Sequence, residues 1–229
     1  TGAFGIVICS SSPAVASRCA HTRATVGVVA SQNVTNPALG PRVLDTLAGG
    51  SDADTALKAA LAHEQFPDYR QLTVVDVHGN TAVHSGAHSL GAHSHAQRDQ
   101  AVAAGNLLKH EGVIAELLGG YADSTSVAFE ERLLDGLQVA LAAGGEEGPV
   151  HSAGLVVVED VPWPVTDLRV DYADDPVPDL IELWRLWKPQ KEDYRVRGVD
   201  PTRASSCARR SRTGTPVFRS TDLAQFTGP

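Results

Sequence analysis

The sequence predicts an α+β fold in which helices cover largely antiparallel sheets. Three observations carry this. Strand-like runs occur in neighbouring groups joined by short turns, which favours antiparallel pairing. Helical runs come in pairs between those groups and can form layers over the sheets. Regular strand–helix alternation is absent, as are the G-x-G-x-x-G and P-loop signatures of nucleotide-binding folds.

The elements follow in order. Residues 4–9 (FGIVIC) are apolar and β-branched, a buried strand broken by Ser10-Ser11-Ser12-Pro13. Residues 14–19 fit either a second short strand or a turn of helix. Residues 25–31 (TVGVVAS) form a strand that ends in Ser31-Gln32-Asn33, and Asn36-Pro37 opens a turn. Residues 41–47 make a brief helix stopped at Gly49-Gly50. Ser51-Asp52-Ala53-Asp54 starts another, with carboxylates where the helix dipole favours them and Ala56, Leu57, Ala60 and Leu61 on one face. Residues 71–77 and 81–85 flank His78-Gly79-Asn80 as a hairpin, glycine supplying positive φ.

A Gly-, His- and Ser-rich stretch to about Asp99 reads as a loop, before apolar residues 100–104 and Gly105-Asn106. Helices are expected over 111–121 and 127–143. The second places Leu133, Leu134, Leu137 and Leu141 on one face and stops at Gly144-Gly145. Strands follow at 152–158 and 166–170. Residues 176–187 form an amphipathic helix with Leu180, Leu183, Trp184 and Trp187 on one face; that face packs onto the domain or across a homodimer.

The chain has 229 residues and a net charge of −8. Residues 201–229 hold five arginines and one aspartate, a net +4, which leaves −12 on the first 200. An acidic body argues against a nucleic-acid groove, which needs clustered cations. No apolar run reaches the ~18 residues of a membrane span, and the start has no signal-peptide pattern. A soluble, cytoplasmic protein is expected. Three cysteines, Cys9, Cys19 and Cys207, match no zinc spacing. Cys9 and Cys19 are expected to be buried thiols. With no methionine, the chain is expected to be processed or to begin inside a longer reading frame. The organisation reads as a main domain over 1–171, an amphipathic helix packed on it over 172–200, and a basic tail over 201–229.

Several stretches together resemble domain-of-unknown-function family 1028. They are residues 4–16 (FGIVICSSSPAVA), 27–37 (GVVASQNVTNP), Gly40-Pro41-Arg42, Tyr69-Arg70-Gln71-Leu72, Gly86-Ala87 and Gly105-Asn106-Leu107-Leu108. The resemblance covers residues 1–200 and rests on their order. It implies the four-layer α-β-β-α sandwich of N-terminal-nucleophile (Ntn) hydrolases, and brings no substrate with it.

Thr1 is the sharpest catalytic candidate. An N-terminal threonine can use its own amino group, pKa near ~8, to take the hydroxyl proton; the competing reading is an ordinary turn residue. Ser31 and Asn33 at one strand end, and Asn106, are further catalytic candidates, because hydroxyls and amides there can form an oxyanion site. Ser10, Ser11 and Gln32 are candidate substrate contacts. Each competes with plain turn or cap chemistry.

His84, His88, His93 and His95 match no standard metal spacing, and a solvated, pH-sensitive loop is the expectation for them. Cys19 and His21 suggest a Cys–His pair. No metal or cofactor is expected. The function expected is hydrolysis of a small amide or related C–N bond by a homo-oligomer. The alternative is a non-catalytic small-molecule-binding or interaction protein on the same fold.

Overall fold

A computed structural model describes residues 2–204; Thr1 and residues 205–229, with Cys207 and most of the basic tail, lie outside the described residues. The chain divides into two compact units, residues 1–188 and 189–229.

The first unit is mixed α+β, and every strand pair in it is antiparallel. β1 (Phe4–Ser10) leads through the short helix α1 (Val15–Cys19) to β2 (Ala20–Arg23) and β3 (Gly27–Asn33). Helices α2 (Leu39–Ala48) and α3 (Ala53–Ala62) precede β4 (Arg70–Asp76), β5 (Thr81–Ser85), β6 (Ala92–Arg98) and β7 (Ala101–Leu108). Then come α4 (Val113–Asp123), α5 (Phe129–Ala142), β8 (Ser152–Val158), β9 (Pro164–Val170) and α6 (Pro176–Trp187). Three sheets result, in the orders β1-β8-β9, β2-β3-β4-β5 and β6-β7.

Three apolar cores hold helices to these sheets. Leu39, Val43 and Leu47 of α2 and Ala56 and Leu57 of α3 pack with Val29, Leu72 and Val74 of the four-stranded sheet. Leu134 and Leu137 of α5, with Leu180 and Trp184 of α6, pack against Leu155, Val157 and Val165 of β8 and β9. Val113, Ile114 and Leu118 of α4 cover Ala103 and Leu108 of β7. The α6 face offered by the sequence to a homodimer is therefore used within the chain. Trp184 is 3% exposed, and the Trp187 indole donates to the Val165 carbonyl at 3.1 Å.

One reading needs correction. The stretch taken as a loop to Asp99 contains β6, whose small and polar residues carry little strand signal and are ordered by pairing with β7. Of the two alternatives for residues 14–19 the structure takes the helix, α1, and the edge strand β2 follows it. The structure also adds α7 (Lys191–Val199) in the second unit, followed by a 3-10 turn at Pro201–Arg203 that Asp200 caps through the Thr202 amide. Among the described residues, no helix is long and apolar enough to cross a membrane.

Local chemistry explains several joints. Asp52 caps α3 by accepting from the Thr55 amide at 2.7 Å. Gly79 takes φ 82° in the β4–β5 turn, and Gly144 and Gly145 take φ 120° and 58° beyond α5. Gly40 lies so close to His21 that an added Cβ would come within 2.1 Å of its ring.

Asp76, 1% exposed, joins the hairpin to α3. One carboxylate oxygen accepts from the amides of His78 and Asn80, the other from the Ala53 amide and the Asn80 side chain, all at 2.9–3.0 Å. Burial pushes its pKa up, but these hydrogen bonds outweigh it and hold the carboxyl below its usual range. Because the folded pKa is depressed, its stabilisation is complete above an unfolded pKa near ~3.9 and is lost as pH falls through the folded value. Asp76→Ala is therefore expected to cost about 3 kcal/mol at neutral pH. Urea denaturation across pH should show the gap from the parent shrinking only in acid. A gap that stays constant down to about pH 2 would contradict this account.

Candidate functional site

The polar residues that end three strands meet at one cavity of about 310 Å³ between β1 and β7. Ser10, Ser11 and Ser12 come from the end of β1, Gln32 and Asn33 from β3, Asn106 from β7 and Glu146 from the segment before β8. The rest of the wall is mainly apolar, including Ile8, Val28, Ala103 and Leu133. An apolar cleft with a few convergent polar groups is the common form of a small-molecule site.

Gln71 organises the polar end. It is fully buried, opposite Gln32 on β3 and Ser85 on β5. Its amide nitrogen donates to the Ser85 hydroxyl at 3.0 Å and the Gly105 carbonyl at 3.1 Å. Its oxygen accepts from Gln32 at 2.8 Å and Asn106 at 3.2 Å. A side-chain amide has two donors and two acceptor positions, so all four are used. Gln32 also donates to the Ala104 carbonyl at 3.0 Å, which occupies both its N–H groups and leaves its oxygen as the group to offer a ligand. Asn106 spends one N–H on Gln71 and keeps the other.

Leu107, directly after Asn106, sits at φ 51°, and the β6–β7 register slips between Ala92 and Ser94. For a non-glycine residue that backbone costs roughly 1–2 kcal/mol. Such strain commonly clusters where a strand is re-aimed at a site.

The serine turn is held from both sides. Ser10 accepts from the Ser12 amide at 3.1 Å, and Ser152 donates to the Ser12 carbonyl at 2.6 Å. Ser11 is bound twice to Glu146: its amide donates to one carboxylate oxygen at 2.9 Å, and its hydroxyl donates to the other. Below them, burial first and the Glu146 charge second push the Cys9 thiol up to about 12.

Thr1 lies outside the described residues. Ser10, Ser11, Gln32, Asn33 and Asn106 are brought together around the cavity. Ser31 is not: side chains alternate along a strand, so Ser31 points opposite to Gln32, is fully buried, and donates to the Asn36 carbonyl at 2.9 Å. Asn33 borders the cavity, but its side chain is committed to loops. It donates to the Tyr69 and His88 carbonyls and accepts from the Leu90 amide.

His84 and His93 engage the Pro67 and Gly91 carbonyls, His95 engages Ser85, and His88 packs at a tilt against the Tyr69 ring. Among the described residues no three His, Cys, Asp or Glu side chains are grouped to hold a metal. Cys19 contacts Thr35 rather than His21, whose ring engages the Arg18 carbonyl. The sequence reading missed Gln71 and Glu146 as site residues. A glutamine opening an otherwise apolar strand (QLTVVDV) was the available signal for the first; for Glu146, inside a Gly- and Glu-rich turn, there was none.

A family model described as a family of unknown function, DUF1028, matches residues 1–180. The chain belongs to this family. Among solved structures, DUF1028 protein SPO2555 from Silicibacter pomeroyi is similar, with a TM-score of 0.77 and 28% identity over 85% of this chain and 84% of that one. No curated protein matches the chain.

Two outcomes follow for this DUF1028 site. Gln71→Leu strands the Ser85, Gln32 and Asn106 groups and is expected to cost about 3 kcal/mol in urea denaturation; a loss under about 1 kcal/mol would show the network is not held by this amide. Cys9 should resist iodoacetamide at pH 8 until the chain unfolds, since only about one thiol in ten thousand is ionised at that pH. Peptide mapping showing rapid native alkylation at Cys9 would refute it.

Proposed function

We propose that this DUF1028 chain is a hydrolase of a small amide or related C–N bond, built on an Ntn-hydrolase-like α-β-β-α sandwich. Support for the layers comes from packing. The α2–α3 pair covers the four-stranded sheet, α5 and α6 cover β1-β8-β9, and β1 and β2 lie against β3 and β8 between them.

The observation that carries the chemistry is the convergence of Ser11–Glu146, Gln32 and Asn106 on one apolar cleft. Their free groups match an amide. The Gln32 oxygen can accept a substrate N–H, and the remaining Asn106 N–H can donate to the carbonyl oxygen as charge develops there. The Glu146 carboxylate accepts a hydrogen bond from the Ser11 hydroxyl, the arrangement a general base needs toward a nucleophilic hydroxyl or a water in its place.

A panel of small amides and carbamoyl compounds tests the reading. At least one should be turned over, and Ser11→Ala and Glu146→Gln should each lower kcat/KM by 100-fold or more, on the order expected for loss of general-base catalysis. Saturable binding without turnover above the Ser11→Ala background would replace the hydrolase with a non-catalytic small-molecule-binding protein.

A further inference from the structure

The β1-β8-β9 sheet ends on a strand whose far edge is open. Among the described residues β9 pairs with β8 and with no other strand. Two bonds from other elements bound the free stretch. The Trp187 indole donates to the Val165 carbonyl at 3.1 Å, and the Ala14 amide donates to the Asp171 carbonyl at 2.8 Å. Between them lie residues 166–170, with the row of backbone groups that a sheet edge offers to another strand. Leu168 is the midpoint of that stretch.

Side chains alternate along the strand. Thr166 is buried and donates to Glu130, and Leu168 and Val170 pack into the core under α5 and α6. Asp167 and Arg169 take the opposite face, exposed and bonded to each other: Arg169 donates to the two carboxylate oxygens at 2.8 and 2.9 Å. The cleft beside them also holds His21 and Arg23 of β2, and Arg23 is already committed to Asp45 at 2.8 Å. Charges on an edge usually keep other strands away. An Asp-x-Arg pair differs, because it is its own complement. When two copies of β9 run antiparallel about a two-fold axis at Leu168, Asp167 of each stands opposite Arg169 of the other, an attractive cross-strand pair on either side of the axis. Sliding the axis by one residue sets Asp167 against itself or Arg169 against itself, which repels.

We propose that this chain forms a two-fold dimer in which β9 pairs with the β9 of a second copy, residue 167 opposite residue 169, joining two three-stranded sheets into one. A contact of this kind closes on itself and uses up the edge. The helices fit it. α6 packs over both β8 and β9. With strands ~4.8 Å apart, the α6 axes of the two copies run about 10 Å apart, an ordinary helix-packing distance. Leu183, one turn before Trp187 on the side of α6 that overhangs Val165, is half-buried in one copy and gains cover from the other. The proposal stands apart from the hydrolase reading, which concerns the cavity between β1 and β7: a dimer that turns nothing over leaves it intact.

Sedimentation equilibrium on the whole chain tests it, with dimer expected at concentrations up to about 100 µM, the range of a small interface. Arg169→Asp gathers only acids at the axis and Asp167→Arg only arginines, so each should raise the dimer Kd about tenfold or more. Both positions are exposed, so each variant should keep the parental circular dichroism. Mixed in equal amounts, the two variants should dimerise with each other, and the double swap in one chain should restore the parental Kd. Hydrogen exchange at residues 166–170 should slow as protein concentration rises. A chain that stays monomeric at about 100 µM, a dimer indifferent to both charge reversals, or folded variants that fail to combine on mixing would each overturn the proposal.

Discussion

One buried amide ties the site to the fold. Gln71 lies buried near the end of an inner strand of the four-stranded sheet, where an unsatisfied polar group costs about 1–3 kcal/mol, so the structure must present partners to every donor and acceptor it has. Those partners come from β3, β5 and β7. Meeting them fixes where the β6–β7 hairpin sits against the sheet and which way Gln32 and Asn106 face. The candidate site is thus a consequence of solving a burial problem one strand deeper than the cavity itself.

A second buried polar cluster does the same for the neighbouring loops. The Glu64–Arg70 pair, with side chains 4% and 11% exposed, is completed by Asn36 at 2.6 Å and by the Val34 carbonyl. Burial raises the Glu64 pKa, but Arg70 and Asn36 more than offset it and hold the carboxyl low. This pins the turn after β3 to the start of β4. Asn33 then extends the hold to residues 88 and 90 through its own side chain. Residues beside a cavity are not all free to serve it: Asn33 and Ser31 stabilise the loops and the sheet, while Ser11 and Asn106 keep groups that can meet a ligand.

Most secondary structure was legible because its signals are local. The second hairpin strand at 81–85, the strand at 152–158 and the helix at 176–187 coincide with β5, β8 and α6. Their apolar periodicity and flanking turns need no partner to be recognised. β6 was not legible, because AHSHAQR is a strand only by virtue of its pairing with β7. The site was legible in outline, since polar residues at strand ends were visible along the chain. What each does was not, because burial and hydrogen-bond partners far apart in sequence decide it.

By itself, then, the sequence determined an α+β chain of antiparallel strands and paired helices, and membership of DUF1028 through motifs read in order. The tertiary structure alone decided that Glu146 reaches Ser11 across 135 positions, that Ser31 turns away from the cavity Gln32 borders, and that residues of β1, β3 and β7 line one cavity. The division has a physical reason. Backbone propensity and hydrophobic period act over a few residues. The pairing of buried polar groups and strand edges is settled only when distant segments are desolvated together, where each donor and acceptor must find a partner.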